Sequence, residues 1–305
     1  MVRNAAVYPQ NARVCCFSYP FVVYCDWKGS GLSLNGNESL LPVKSDFVFK
    51  IIFGDSRNAD ILAGFLKSVL DIPDGEYDRV TVVDPHVKKE SERDKYGVLD
   101  VKVHTKSGNV VHCEIQLWFI PEMKERCVYY QSKMVTEQMA SGYDYTKIKR
   151  VVSIIITDFI MAPENGFYHN QFRYRSDKDG VEFTNITEID LLELPKLPSE
   201  ADNTELWDWM KLIKSDDKEA LDVIAGRNPQ IKKAVGVLKE LSADDRTRLL
   251  YEEREKARRD IASMVGGARR EGHIDVARNM LAMDLPLDTI VKATGLTRGE
   301  IEELQ

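Results

Sequence analysis

The stretch from Gly97 to Trp118, GVLDVKVHTKSGNVVHCEIQLW, constrains this chain more than any other. Two runs of alternating apolar and polar residues flank Lys106-Ser107-Gly108. That triplet suits a hairpin loop in which a type I turn is closed by glycine in the left-handed region. With Ser107 at the centre, residues pair when their numbers sum to 214, so Thr105 faces Asn109, Lys102 faces His112 and Asp100 faces Glu114. Period-2 alternation then puts Leu99, Val101 and Val103 on one side with Val111, Cys113, Ile115 and Leu117, a continuous apolar face ready for a helix. The other side carries Asp100, Lys102, His112, Glu114 and Gln116.

Directly opposed residues have Cβ atoms roughly 4.5–5.5 Å apart, so the two carboxylates repel unless a raised pKa or a bound cation offsets the charge. A hard divalent ion such as Mg²⁺ takes a few carboxylates and keeps several waters, one of which can become a nucleophile. The plainer reading leaves this face in solvent, with Lys102 screening two acids that drift apart. A register slip of one residue would dissolve the pair.

The rest of the chain places the hairpin in context. From Ser45 to about Leu194, helical and strand patterns alternate, which predicts an α/β or α+β domain. LPKLPSEADN (Leu194 to Asn203) reads as a Pro-rich joint, and beyond it the patterns are helical. The expected organisation is a poorly structured leader over 1–40, an α/β domain over 41–198 and a helical C-terminal region over 199–305. Ser242, with Asp244 and Asp245 behind it, reads as the cap of a long charge-laced helix supported by Glu252–Lys256 and Glu255–Arg259 pairs.

The 305 residues are 43 % hydrophobic and 30 % charged, which excludes collagen-like and wholly disordered classes. A net charge of -7 excludes a polycation that coats nucleic acid, so any such contact must rest on a local patch or a metal. Five cysteines (Cys15, Cys16, Cys25, Cys113 and Cys127) show neither CxxC nor zinc spacing and suit a reducing cytoplasm. No apolar run reaches the roughly 18 residues that span a bilayer. Val14 to Cys25 imitates a secretion signal but is broken by Pro20 and lacks a small-residue cleavage site.

Taken in order, KSDFVFKIIFGD (Lys44 to Asp55), NADILAGFLKSVL (Asn58 to Leu70), DIPDGEYDRVTVVDP, GVLDVKV, HCEIQLW, RCVYYQSKM and VVSIIITDF resemble the PD-(D/E)xK nuclease superfamily. The likeness is to its branch of Rpn-type recombination-promoting nucleases and transposases, and it covers about three quarters of the chain, ending near Arg270. It implies an α/β, restriction-endonuclease-like core with a mixed central sheet flanked by helices, and a metal-dependent DNA endonuclease of mobile-element type. Carried onto this sequence, it makes Asp100 and Glu114 the acids that hold Mg²⁺ or Mn²⁺, with the main-chain carbonyl of Ile115. Gln116 takes the usual lysine position, where it can hydrogen-bond a water but brings no positive charge. Lys102, on the same face of the neighbouring strand, is the candidate to compensate.

Asp46, behind the expected cap Ser45, either joins the metal site from the first helix or simply favours that helix's N-terminus. On the helix after the hairpin, Met123, Cys127, Tyr130, Met134 and Gln138 follow core spacing. Arg126, Tyr129 and Lys133 lie on another face, either a DNA contact strip or an ordinary surface. LDTIVKATG, Leu296 and TRGEIEELQ have the outline of a helix-turn-helix, and three short helices are expected from Glu271 onward. The second helix carries Glu300, Glu302 and Glu303 against Arg298, which favours packing or self-association over DNA reading. The alternative to an active nuclease is a catalytically weakened nuclease fold serving as a DNA-binding or protein-interaction module. A helical oligomerisation protein ranks below both. Cutting both strands of a duplex needs two sites, which a homodimer would supply.

Overall fold

A computed structural model describes residues 39–70, 73–77, 80–83, 101–139 and 144–304. Residues 1–38 of the expected 1–40 leader, with the signal-like segment, and Asp100 lie outside the described residues.

Helix α1 (Asp46–Gly54) forms on DFVFKIIFG, whose Val48, Phe49, Ile52 and Phe53 recur at helical spacing and are buried. Ser45 occupies the cap position but makes no side-chain cap bond. The Asp46 carboxylate instead accepts from the Phe47 N–H at 2.8 Å. After a turn of 3₁₀ helix comes α2 (Ala59–Val69), burying Ile61, Leu62, Phe65 and Leu66. Three strands follow, β1 (Thr81–Val83), β2 (Val101–His104) and β3 (Val110–Gln116), then α3 (Met123–Thr136) and β4 (Val151–Thr157). A hairpin of β5 (His169–Arg175) and β6 (Glu182–Glu193) completes the sheet. The order is β1-β2-β3-β4-β6-β5. The β3–β4 and β4–β6 pairs are parallel and the remainder antiparallel, so the sheet is mixed, as expected.

The two faces of the sheet are covered differently. Val101, Val103, Val111, Cys113 and Ile115 join one core with α1 and α2, as the alternation required. That core also takes in Trp209, Met210 and Ile213 of α4 (Glu205–Lys214), Leu221 and Ile224 of α5 (Lys218–Ala225) and Ile231, Val235 and Leu238 of α6 (Pro229–Ala243). The Pro-rich joint therefore separates two sequence regions that share one core. Phe53, Phe65 and Trp209 meet with ring centroids 5.4–6.0 Å apart, an arrangement that adds to plain burial. Gly64 allows this approach, since a Cβ there would stand 3.1 Å from both Gln230 and Trp209. On the opposite face α3 sets Met123 and Cys127 against Ile155 and Leu191, and Tyr130 and Met134 against Val110 and Val151.

Ser242 is not the cap of the long helix. It lies inside α6, buried, and its Oγ accepts from the Leu41 N–H at 2.9 Å. Asp244 caps α7 (Asp245–Ala282) by accepting from the Thr247 N–H and hydroxyl at 2.7 and 2.6 Å. A short acid that ends one helix can start the next, whereas Ser242 is already committed to a tertiary contact. Within α7, Glu255 accepts from Arg258 at 2.7 Å, one position earlier than the expected Arg259.

The described residues divide into two compact units between Glu252 and Glu253. In the second unit, α8 (Leu287–Thr294) and α9 (Arg298–Glu302) fold back on the end of α7. Ala277, Ile290, Leu296 and Ile301 make a small core there. The first of the three expected short helices is thus the last part of α7.

Candidate nuclease site

The hairpin turn is built as its sequence demands. The Thr105 N–H donates to the Asn109 carbonyl at 3.0 Å and the Gly108 N–H to the Thr105 carbonyl at 2.9 Å. Gly108 sits at φ +89°, where a side chain would be strained. Glu76 clasps the loop from outside, accepting from the Thr105 and Ser107 hydroxyls at 2.6 and 2.7 Å and from the Ser107 N–H at 3.1 Å. These bonds, that from Thr105 foremost, hold the Glu76 carboxyl below the usual carboxylate range.

The ladder runs in the predicted register. Val101 pairs with Cys113, Lys102 with His112, Val103 with Val111 and His104 with Val110, each pair summing to 214. The ladder's first described rung is Val101–Cys113, next to the expected Asp100–Glu114 rung.

The polar face is not left to solvent. Glu114 is 6 % exposed and lies under α3, where Arg126 Nη2 donates to its Oε1 at 2.8 Å. Arg126 is also stacked over the Tyr130 ring at 5.4 Å. His112 is buried, and neither ring nitrogen has a hydrogen-bond partner among the described residues. Burial, with Lys102 and Arg126 nearby, pushes its pKa down to about 3. The 3.7 Å approach of His112 Nε2 to Glu114 Oε2 is therefore a contact with a neutral imidazole, not an ion pair.

The other expected residues surround this centre. Lys102 Nζ reaches Glu137 Oε2 at 3.2 Å, both side chains only 12 % exposed. Ile115 lies in the ladder opposite Ile156. Gln116 ends β3, its side-chain amide donating to the Trp118 carbonyl at 3.0 Å and its carbonyl accepting from the Asp158 N–H at 3.1 Å. Lys44 Nζ meets Asp158 Oδ2 at 2.7 Å, tying the segment before α1 to the residue after β4, and Asp46, the first residue of α1, is half-buried. Of the α3 strip, Arg126 is engaged by Glu114, Tyr129 is exposed and Lys133 is half-buried.

A family model for PD-(D/E)XK nuclease family transposases matches residues 43–268. The chain belongs to that family. No curated protein and no solved structure matches it.

Family membership gives this PD-(D/E)XK protein a nuclease-type function with DNA as substrate, and such nucleases typically use divalent metals. Among the described residues no group of three or more His, Cys, Asp or Glu side chains is disposed to hold a metal ion. Glu114 itself fits a hard cation, being a buried carboxylate whose nearest imidazole is neutral. Also among the described residues, no helix is long and apolar enough to cross a membrane.

The nuclease fold also carries a polar cluster that the sequence reading missed. Asp190 and Glu188 on β6 are both buried. Asp190 Oδ1 meets His169 Nε2 at 2.7 Å and Gln171 Nε2 at 3.1 Å, while Glu188 accepts from Arg150 and, at 2.5 Å, from Arg173 Nε. Burial, with the Glu188 charge beside it, pushes the Asp190 carboxyl up. Arg173 and Arg150 hold Glu188 down despite its own burial. Acids two residues apart on one face of a largely apolar stretch, ITEIDLLEL, were the available signal.

Proposed function

We propose that this chain is a metal-dependent DNA endonuclease of mobile-element type, hydrolysing phosphodiester bonds at a D…ExQ site. One observation carries the reading. Buried Glu114 sits on the polar face of a ladder whose described register, if it ran on by one rung, would bring Asp100 across from it. Asp100, Glu114 and the Ile115 carbonyl would hold Mg²⁺ or Mn²⁺. When bound, such an ion polarises the scissile phosphate and lowers the pKa of an attacking water.

The chain's own residues do the rest. Arg126 balances the Glu114 charge in the low-dielectric space beneath α3, and neutral His112 adds no competing charge. Gln116 can orient a water by hydrogen bonding, and Lys102 supplies positive charge on the same face, held by Glu137. Exposed Tyr129 and half-buried Lys133 would meet a base and a phosphate, and half-buried Asp46, the first residue of α1, would serve as a further acid. Buried cysteines such as Cys113 and Cys127 suit a reducing, cytoplasmic setting. A duplex cut on both strands needs two such sites.

The second reading, a weakened nuclease fold acting as a DNA-binding or protein-interaction module, is favoured by the uncharged Gln116 and by the hold of Arg126 on Glu114. Nicking of supercoiled plasmid with Mg²⁺ or Mn²⁺ separates the two. The nuclease reading expects nicking that Asp100→Asn and Glu114→Gln abolish and that Gln116→Lys preserves or raises. Inert wild type and variants that still bind DNA would establish the second reading instead.

A further inference from the structure

From Arg259 to Gly272 every residue of α7 is exposed, including Ile261 at 62 %, Met264 at 73 % and Val265 at 64 %. This stretch also contains Gly266 and Gly267, and each glycine in a helix interior costs about 1 kcal/mol relative to alanine. Neither has an atom within 4 Å of where its Cβ would stand. Intrinsic propensity therefore opposes the helix here, and no packing within the described chain offsets it. Helices of this kind are held by burying a face against a partner.

The sequence of that face identifies the partner. Positions alternating four and three apart give the seam Arg254, Ala257, Ile261, Met264, Ala268, Glu271, the spacing of a coiled-coil stripe. Its order is self-complementary on reversal. Laid antiparallel on itself, the seam pairs residues whose numbers sum to 525, so Ile261 meets Met264, Ala257 meets Ala268, and Arg254 meets Glu271, each twice. Laid parallel, it would stack Arg254 on Arg254 and Glu271 on Glu271 across the pair. One layer further out, Leu250 would meet Asp275, so the complementary seam ends at Arg254 and Glu271, roughly 26 Å long at 1.5 Å per residue.

We propose that α7 is the self-association surface of this protein, pairing antiparallel with α7 of a second copy about the Ile261/Met264 centre. Small Ala257 and Ala268 let the helices approach closely on either side, and Val265 widens the apolar contact. The nuclease reading calls for two sites on a duplex, and this pairing would supply the second chain. The pairing itself rests on α7 alone and stands or falls separately from cleavage.

Sedimentation of the full chain at about 50 µM, above the micromolar range suited to a seam this short, tests the pairing. The wild type is expected to be a dimer. Ile261→Asp, at an exposed position outside the αβ core, is expected to give a monomer whose far-UV circular dichroism loses part of the α7 helix signal while the thermal unfolding midpoint of the αβ core stays that of the wild type. Arg254→Glu and Glu271→Arg are each expected to weaken the dimer by roughly tenfold, because like charges then meet at both ends. The chain carrying both changes is expected to return to wild-type affinity. A monomeric wild type overturns the proposal, as does a dimer indifferent to Ile261→Asp, which would place the contact elsewhere, for instance on the 1–38 leader. Single charge reversals without effect, or a double reversal that fails to restore, overturn the antiparallel register.

Discussion

Replacing Arg126 by methionine tests how the buried acid is held. Arg126 Nη2 lies 2.8 Å from Glu114 Oε1, with the arginine side chain 37 % exposed and the glutamate 8 %. A charge-assisted hydrogen bond contributes about 1.5–3 kcal/mol net, and partial exposure of the guanidinium puts this one toward the low end, about 1.5–2 kcal/mol. Its stacking on Tyr130 adds about 0.5–1 kcal/mol, of which methionine keeps the apolar contact and loses the cationic part. The variant should therefore lose roughly 2–3 kcal/mol without metal, a fall in Tm of about 4–10 °C for a unit of this size. Divalent ions should change the comparison. Arg126 and a cation compete for the same carboxylate, so removing the arginine should tighten Mn²⁺ binding by about tenfold, or about 1.4 kcal/mol. Thermal shift with and without Mn²⁺ reads both effects. An unchanged Tm in metal-free buffer would refute the ion pair's role. Loss of the Mn²⁺ response would mean that Arg126 positions the metal ligand instead of competing with it.

Two further outcomes follow from the same geometry. Asp190 has a folded pKa raised above its ordinary value of 3.8, so its contribution is full below that value and is lost as pH rises through the folded pKa. Asp190→Asn mimics the protonated acid toward His169, Gln171 and Glu188. It should match wild type in acid and gain stability over it as pH rises through that range, in urea titrations at several pH values. A variant less stable than wild type across that range would show that the folded chain favours the carboxylate beside His169 over the protonated acid, opposite to the raised pKa. Gly108→Ala places a side chain at φ +89° and should cost about 1–2 kcal/mol in urea unfolding. No loss would mean that the turn relaxes to another conformation.

The hairpin was legible because its information is local. Lys106-Ser107-Gly108 sets the loop, the loop sets the register, and alternation then decides which side chains meet the helices. The same holds for the buried spacing of Met123, Cys127, Tyr130 and Met134. What could not be read depends on contacts between distant segments. The periodicity of α4–α6 shows that each helix buries a face but not that this face joins the core of α1 and α2. Ser242 resembles a cap in sequence, yet its hydroxyl is committed to Leu41, 201 residues away. Arg126 looked like a surface cation because nothing local reveals that α3 lies over Glu114. The Asp190 cluster draws on residues of two strands, β5 and β6, and of the segment before β4, and no single stretch contains it.

The most direct measurement is a Mn²⁺ titration of the metal-free protein followed by electron paramagnetic resonance. It should show one ion bound per chain, with binding lost in Asp100→Asn and in Glu114→Gln while circular dichroism stays that of the wild type. Binding of equal strength in wild type and in both variants would place the ion elsewhere and contradict the site assigned to this hairpin.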